Sequence, residues 1–277
     1  HIPENYKPLL DARTTEQAIR AIKEFFQTNL AFELNLTRVT APLFVKSGTG
    51  INDDLNSVEQ PVWFTPDGIA GTQLEMVQSL AKWKRLTLAD LCFSPGEGLY
   101  TDMNAIRPSE VLDNTHSLYV DQWDWERVIT EKDRNLDFLK DIVEKIWKVL
   151  YGAAKQAQAQ FPALRSDKYP DFPEKLRCFH AEEILKRYPD LPRKQRETRM
   201  LQEVAPAIFI IGIGWVLKDG YPHEMRAADY DDWVTETITQ NGETFHGLNG
   251  DILVWNPVTR RRHALTSMGI RVPKDSL

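Results

Sequence analysis

The order of its periodic segments limits this chain to few folds, because strand-like segments stand on both sides of one long helical block. Between Asp133 and Gln160 apolar residues recur every three or four positions, which predicts a long amphipathic helix. Shorter helices are predicted over 181–187 and 194–204, in a proline-punctuated segment that we place outside the main sheet. Together these segments form a predicted helical insertion over roughly 133–204.

The remaining periodic segments predict one N-terminal helix and several strands. Thr14 and Gln17 form a capping-box pattern for a helix that runs to about Asn29. Alternation then predicts a strand over 39–45, which Pro42 would confine to a sheet edge or an interface. Later strands are predicted at 74–77, 207–213, 250–255 and 265–271. Because strands and helices do not alternate regularly, we predict an α+β fold with an antiparallel sheet flanked by helices.

Composition excludes several classes of protein. The 277 residues carry 34 Lys and Arg against 40 Asp and Glu, a net charge of −6, which argues against nucleic-acid binding. The longest apolar run, Ala207–Ile213, is too short for a transmembrane helix, and the N-terminus lacks a secretion signal pattern. Cys92 and Cys178 are isolated, so neither a disulfide framework nor a structural zinc site is expected. We therefore predict a cytoplasmic protein with one catalytic domain over residues 1–277 and no membrane or nucleic-acid partner.

Polar side chains collect at the end of one predicted strand, Ser117–Glu126. Alternation places Gln122, Asp124 and Glu126 on one face, after the apolar residues that begin it. If that face is buried, its amide and carboxylates need a polar ligand or a cation, and the alternative is a solvated strand end. Asp251 stands at the start of another apolar strand, where its oxygen atoms could hold Mg²⁺, and the alternative there is a solvated turn.

Seven long motifs resemble those of one enzyme family, in the family's order. They are SLAKWKR (79–85), SPGEGLYTDMNAIRP (94–108), HSLYVDQWDWERV (116–128), RYPDL (187–191), DYDDW (229–233), GLNGDILVWNPV (247–258) and SMGIRV (267–272). On these motifs the chain resembles ammonia-dependent asparagine synthetases, the aspartate–ammonia ligases. The resemblance implies a catalytic core similar to that of class II aminoacyl-tRNA synthetases, without their tRNA-binding parts, and a homodimer.

The reaction implied by the resemblance joins aspartate to ammonia with ATP as co-substrate. It passes through a β-aspartyl-AMP intermediate and releases pyrophosphate and AMP. Arg107 matches an arginine that contacts the α-phosphate and the substrate carboxylate. Lys84 and Arg226 match residues that hold the carboxylates of aspartate. The residues that would orient its remaining polar groups are Ser79, Gln122 and Asp231.

The resemblance also implies a divalent cation and a proton acceptor. Asp251 matches an acidic ligand of Mg²⁺ on the ATP phosphates, and Ser267 is assigned to the same nucleotide site as Arg107. Asp53 matches a residue that would take a proton from ammonium, and Asp124 is a second candidate. From the residues alone, Asp53 is equally compatible with an ordinary turn. The candidate catalytic residues are therefore Asp53, Lys84, Arg107 and Asp124.

Two departures from the family pattern affect these expectations. The family places a glutamate before the SMGIR segment as a second Mg²⁺ ligand, whereas this chain has Ala264, so we expect weakened use of Mg-ATP. The sequence ends at Leu277, before the glycine-rich segment of the third class motif, and this would leave the nucleotide pocket incomplete. A catalytically weakened paralogue that binds aspartate or nucleotide is one alternative, and an enzyme similar to aspartyl-tRNA synthetase is another.

Overall fold

The polypeptide is divided between two compact units. The first unit is formed by His1–Tyr6 and Gln27–Thr130, and the second by Lys7–Phe26 and Glu131–Leu277. The computed structural model describes residues 4–52, 60–113, 116–165, 171–225, 231–238 and 242–273. The expectation of one catalytic domain over residues 1–277 stays a prediction.

Helix α1 spans Ala12–Leu34 and is longer at both ends than the predicted helix. Its N-terminal cap is Asp11, whose carboxylate accepts hydrogen bonds from the Thr14 amide at 2.9 Å and the Thr14 hydroxyl at 2.8 Å. The predicted cap at Thr14 is therefore wrong, because a carboxylate three residues earlier already satisfies this end of the helix. The helix ends before Asn35, which adopts a left-handed conformation with a φ of 54°.

Two three-stranded sheets and a helix are described in the first unit. Its elements are β1 (Leu36–Arg38), β2 (Phe44–Lys46), β3 (Trp63–Phe64), β4 (Leu74–Met76), α2 (Ala81–Asp90), β5 (Gly98–Ile106) and β6 (Tyr119–Arg127). In one sheet, β5 pairs in parallel with β1 and antiparallel with β6. In the other sheet, β4 pairs antiparallel with both β2 and β3.

The strand predicted over 39–45, with an interruption at Pro42, is divided between two sheets, because the chain leaves one sheet and enters the other within this segment. The Val39 amide donates to the Tyr100 carbonyl of β5 at 3.0 Å, and the Leu43 carbonyl accepts at 3.1 Å from the residue after β4. Pro42 lies between these two contacts and has no N–H to continue a ladder. The proline therefore accompanies the crossing between sheets.

Besides the first part of α1 and two 3-10 helices (Glu131–Asp133 and Pro162–Leu164), the described residues of the second unit contain a four-stranded sheet, a two-stranded hairpin and three α-helices. Its elements are α3 (Leu136–Gln160), β7 (Arg177–His180), α4 (Ala181–Arg187), α5 (Arg193–Glu203), β8 (Ala207–Ile211), β9 (Glu236–Ile238), β10 (Thr244–His246), β11 (Asn249–Asn256) and β12 (Arg261–Gly269). The sheet order is β12-β11-β8-β7. The three predicted helices and the predicted strands β8, β11 and β12 are confirmed, with ends that differ by a few residues.

One strand of the predicted helical insertion belongs to this sheet. β7 pairs in parallel with β8, with Cys178 opposite Phe209 and His180 opposite Ile211. The prediction that the whole proline-punctuated segment lies outside the sheet is therefore wrong. The strand was not predicted because it is only four residues long and has no alternating pattern. The sheet is mixed, because β8, β11 and β12 pair antiparallel.

Close backbone packing sets the position of β11 beside β8. A Cβ atom on Gly250 would lie 2.0 Å from the Ile210 carbonyl oxygen, so a side chain cannot fit there. Helices α4 and α5 cover one face of the sheet, where the buried contacts include Ile184, Met200, Leu201, Ile208, Ile210 and Leu253. Within the described ranges, each helix is too short or too polar to cross a membrane.

Candidate active site

The antiparallel pair β5 and β6 presents the polar residues of the first unit. Gln122 is opposite Met103 and Asp124 is opposite Thr101. Because directly paired residues point to the same face, Gln122 and Asp124 lie beside side chains that are buried. The strand predicted from the alternating pattern is confirmed as β6.

Lys84 of α2 is a buried cation in the first unit. Its side chain is 0% exposed, and its Nζ forms an ion pair with the Asp124 carboxylate. Nζ also lies 3.8 Å from Glu126 Oε1 and 3.3 Å from the Trp125 carbonyl oxygen. The lysine and the two acids need one another, because a buried charge without a partner is strongly unfavourable. The structure thus brings together two of the predicted catalytic residues, Lys84 and Asp124.

Arg107 directly follows β5, and the described residues give it no acidic partner. Its Nε donates to the Gln78 carbonyl at 3.4 Å, and its terminal nitrogen donates to Gln122 Oε1 at 3.4 Å. Both bonds are long and their acceptors are neutral. The positive charge of the guanidinium is therefore available to bind an anionic ligand. Ser79, the next residue after Gln78, is half-buried just before α2. Gln78 itself was not predicted from the sequence.

In the second unit the structure describes residues 231–233 of the DYDDW motif. Two aspartates of this segment form ion pairs with arginines. Asp231 Oδ1 accepts a hydrogen bond from Arg271 at 2.5 Å, and Asp232 Oδ2 accepts one from Arg134 at 2.7 Å. Asp231 is 6% exposed and Asp232 is 2% exposed, so both carboxylates are compensated in the interior. Arg271 and Arg134 were missed by the sequence analysis, although Arg271 lies in the quoted SMGIRV motif. Asp53 and Arg226 lie outside the described residues.

The hairpin of β11 and β12 carries the predicted nucleotide residues. Asp251 is opposite Ser267, and Leu253 is opposite Ala264 after a register shift, so these side chains share a face. Asp251 is buried, whereas Ser267 and Ala264 are exposed. Among the described residues, no group of three or more His, Cys, Asp or Glu side chains could hold a metal ion. One carboxylate fits Mg²⁺ in the way that this ion binds nucleotides, with phosphate oxygens and water supplying most ligands.

Comparisons with known proteins identify the family. A family model described as aspartate-ammonia ligase matches residues 13–277. An aspartate–ammonia ligase of Bacteroides fragilis is 53% identical over 275 residues, covering 99% of this chain and 77% of that protein. The chain belongs to the aspartate–ammonia ligase family. The ligase of Ruminiclostridium cellulolyticum is 50% identical over 275 residues, covering 99% of this chain and 76% of its own length.

Solved structures show the fold at much lower identity. Asparaginyl-tRNA synthetase from Entamoeba histolytica, in complex with asparaginyl-adenylate, is 12% identical with a TM-score of 0.57, covering 86% of this chain and 49% of that chain. The Pyrococcus horikoshii enzyme complexed with asparaginyl-adenylate is 16% identical with a TM-score of 0.54, covering 91% and 56%. The predicted α+β fold similar to class II aminoacyl-tRNA synthetases is confirmed.

Family membership and fold together confirm the predicted class of activity. The chain is a member of an enzyme family of ligases that join aspartate and ammonia in an ATP-dependent reaction. ATP is accordingly its co-substrate, and aspartate and ammonia are its substrates. The reading as a relative of aspartyl-tRNA synthetase is not favoured, because that resemblance is limited to the fold.

β7 carries two side chains whose pKa values are shifted, those of Cys178 and His180. Burial raises the pKa of the Cys178 thiol to about 11, so this cysteine is a poor nucleophile. Burial lowers the pKa of His180 to about 4. His180 Nδ1 accepts from the Glu182 amide at 3.1 Å, its Nε2 lies 2.9 Å from the His246 carbonyl oxygen, and its ring stacks on Phe245 at 4.5 Å.

The neutral His180 predicts a pH-dependent stability. Its pKa falls from 6.5 in the unfolded chain to about 4 in the fold, so the unfolded chain binds more protons between these values. We expect the free energy of unfolding to fall by about 3 kcal/mol between pH 7 and pH 4 relative to His180→Asn. Urea unfolding of both proteins at pH 7, 5.5 and 4 measures this difference. Parallel pH dependences of the two proteins would contradict it.

Proposed function

We propose that this chain makes asparagine in two steps through a β-aspartyl-AMP intermediate. In the first step a side-chain carboxylate oxygen of aspartate attacks the α-phosphorus of ATP, and pyrophosphate leaves. In the second step ammonia attacks the acyl carbon, and AMP leaves with the oxygen that had joined it to aspartate. The observation that carries this proposal is the match to aspartate–ammonia ligase over residues 13–277.

The first step brings two anions together, so cationic groups have to stabilise its transition state. Arg107 is proposed to contact the α-phosphate and the attacking carboxylate, because its guanidinium has no acidic partner among the described residues. Lys84 is proposed to hold a carboxylate of aspartate from its buried position, with Arg226 in the same role. Ser79, Gln122 and Asp231 are proposed to orient the remaining polar groups of aspartate.

Binding of ATP is proposed to involve Asp251, Ser267 and Arg107. When bound, Mg²⁺ would neutralise phosphate charge, and Asp251 is the protein residue that we propose as its ligand. Ala264 supplies no oxygen atom on the face that it shares with Asp251. The weakened use of Mg-ATP expected from Ala264 stays a prediction, and with it the alternative of a weakened paralogue.

The second step needs ammonia as the free base, because ammonium has no lone pair for attack. Asp53 is proposed to take this proton. Asp124 is the second candidate, but its carboxylate is already in an ion pair with Lys84. We therefore assign Asp124 first to holding Lys84, and keep Asp53 as the proposed base. A homodimer in the cytoplasm is also proposed, on the family resemblance alone.

A comparison of possible acceptors of the aspartyl group tests the proposed function. Purified protein is incubated with aspartate and Mg-ATP, together with ammonium, glutamine or tRNA, and asparagine, AMP and ADP are quantified. We expect ammonium to yield asparagine and AMP in equal amounts, and the other two acceptors to yield neither. Aspartyl-tRNA formation, or turnover that occurs only with glutamine, would contradict the proposal.

A further inference from the structure

The side-chain amide of Gln78 is buried and has no hydrogen-bond partner among the described residues. Gln78 is 1% exposed, and neither its Oε1 nor its Nε2 is bonded to any residue that the structure describes. A glutamine amide offers two donors and one acceptor, and leaving such groups unpaired in an interior is unfavourable. Buried polar groups in native proteins usually have partners, so an unpaired amide needs an explanation.

The backbone of Gln78 is held firmly, so its side chain cannot be explained as a loosely placed loop residue. The backbone amide of Gln78 donates to Asn52 Oδ1 at 2.8 Å, and its backbone carbonyl accepts from Arg107 Nε at 3.4 Å. The preceding residue, Val77, is bonded on both sides, through its amide to the Leu43 carbonyl at 3.1 Å and through its carbonyl to the Ile106 amide at 3.0 Å. Among the described residues, the backbone of Gln78 therefore has hydrogen-bond partners and its side chain has none.

The backbone of Gln78 adjoins residues that are proposed to bind aspartate. Ser79 follows Gln78 in sequence, and Arg107 bonds both the Gln78 carbonyl and the Gln122 side chain. Binding sites commonly retain a polar group at a cost to stability when its partner is a ligand. An amide suits a zwitterion, because its oxygen can accept from an ammonium group while its nitrogen donates to a carboxylate.

We propose that Gln78 is a further substrate-binding residue, whose side-chain amide turns to hydrogen-bond the α-ammonium and α-carboxylate groups of the amino-acid substrate. This inference rests on the proposed function for the identity of that substrate. It assigns to Gln78 a role in binding aspartate and none in binding ATP.

Gln78→Met tests this role, because methionine has a similar volume and no group that needs a hydrogen bond. We expect the midpoint of thermal unfolding to rise, since an unpaired amide is removed from the interior. We also expect the KM for aspartate to rise about tenfold, the change that corresponds to about 1.4 kcal/mol of lost binding, while the KM for ATP is unchanged. A gain in stability together with weaker binding of aspartate is not expected if the role of Gln78 is only structural.

Thr237→Val is the matched control. The Thr237 hydroxyl on β9 is also buried without a partner among the described residues, and it belongs to no proposed binding group. We expect this variant to gain stability with both KM values unchanged. If Gln78→Met leaves the aspartate KM unchanged, or raises both KM values equally, the proposal is wrong.

Direct binding separates a failure of this inference from a failure of the proposed function. Calorimetric titration with aspartate needs no turnover, so it reports on Gln78 even if the wild-type protein forms no asparagine. Weaker aspartate binding by Gln78→Met than by wild type supports the role of Gln78. Equal binding by the two proteins overturns it.

Discussion

Lys84→Met is expected to abolish asparagine formation and to lower the free energy of unfolding by about 3–5 kcal/mol. The Lys84 side chain is 0% exposed, while the side chains of Asp124 and Glu126 are 20% and 10% exposed. Methionine fills a similar volume but leaves these two carboxylates close together without their cation. Initial rates of asparagine formation and urea unfolding at pH 7 measure the two effects.

A matched change on the same helix and a second substitution separate the two effects. Lys82→Met removes a cation two residues away in α2, and we expect it to keep most of the activity and stability. The double variant Lys84→Met/Asp124→Asn should recover part of the lost stability, because one uncompensated charge is removed, but none of the activity. If activity returns with stability, Lys84 is only a structural residue and its proposed role in binding aspartate is wrong.

Arg107→Ala is expected to lower kcat for aspartate-dependent AMP formation by a factor of about 10²–10³, the usual effect of removing one preorganised group that stabilises developing charge. Among the described residues, the guanidinium makes two long hydrogen bonds to neutral acceptors, so little stability should be lost with it. Single-turnover release of pyrophosphate measures the step directly. The fold should remain intact by circular dichroism.

Arg38→Ala is the control for this change. Arg38 is exposed on β1 and pairs with Asp102 at 2.6 Å, so its loss removes a positive charge from the same unit at a surface position. We expect wild-type rates from this variant. AMP formation at the wild-type rate by Arg107→Ala would remove Arg107 from the proposed mechanism.

The sequence predicts local elements well where one short segment contains its own signals. The strand β8 is a run of apolar residues followed by Gly212, and the helix α3 repeats its apolar stripe along 25 residues, so both were predicted. The strand β7 was not, because its pairing with β8 depends on partners 31 residues away (Cys178 with Phe209) and not on a local pattern. The break of the strand at Pro42 likewise depends on which of two sheets each end meets.

The candidate site shows the same division between local and distant information. Lys84 and Asp124 could be predicted one by one, since each lies in a long motif that resembles the family. Their ion pair joins residues 40 positions apart, and only the fold reveals it. The pairing of Asp232 with Arg134 spans 98 positions. Gln78 has no signal in a single sequence, because its significance lies in the absence of a partner for a buried amide among the described residues.

Transfer of labelled oxygen tests the attack of aspartate on the α-phosphorus most directly. Aspartate labelled with ¹⁸O in its side-chain carboxylate is converted with ATP and ammonium, and the AMP produced is analysed by mass spectrometry. A β-aspartyl-AMP intermediate predicts one ¹⁸O atom in the phosphate of each AMP molecule, with the other retained in the amide of asparagine. Unlabelled AMP, or release of ADP and orthophosphate in place of AMP and pyrophosphate, would contradict the mechanism.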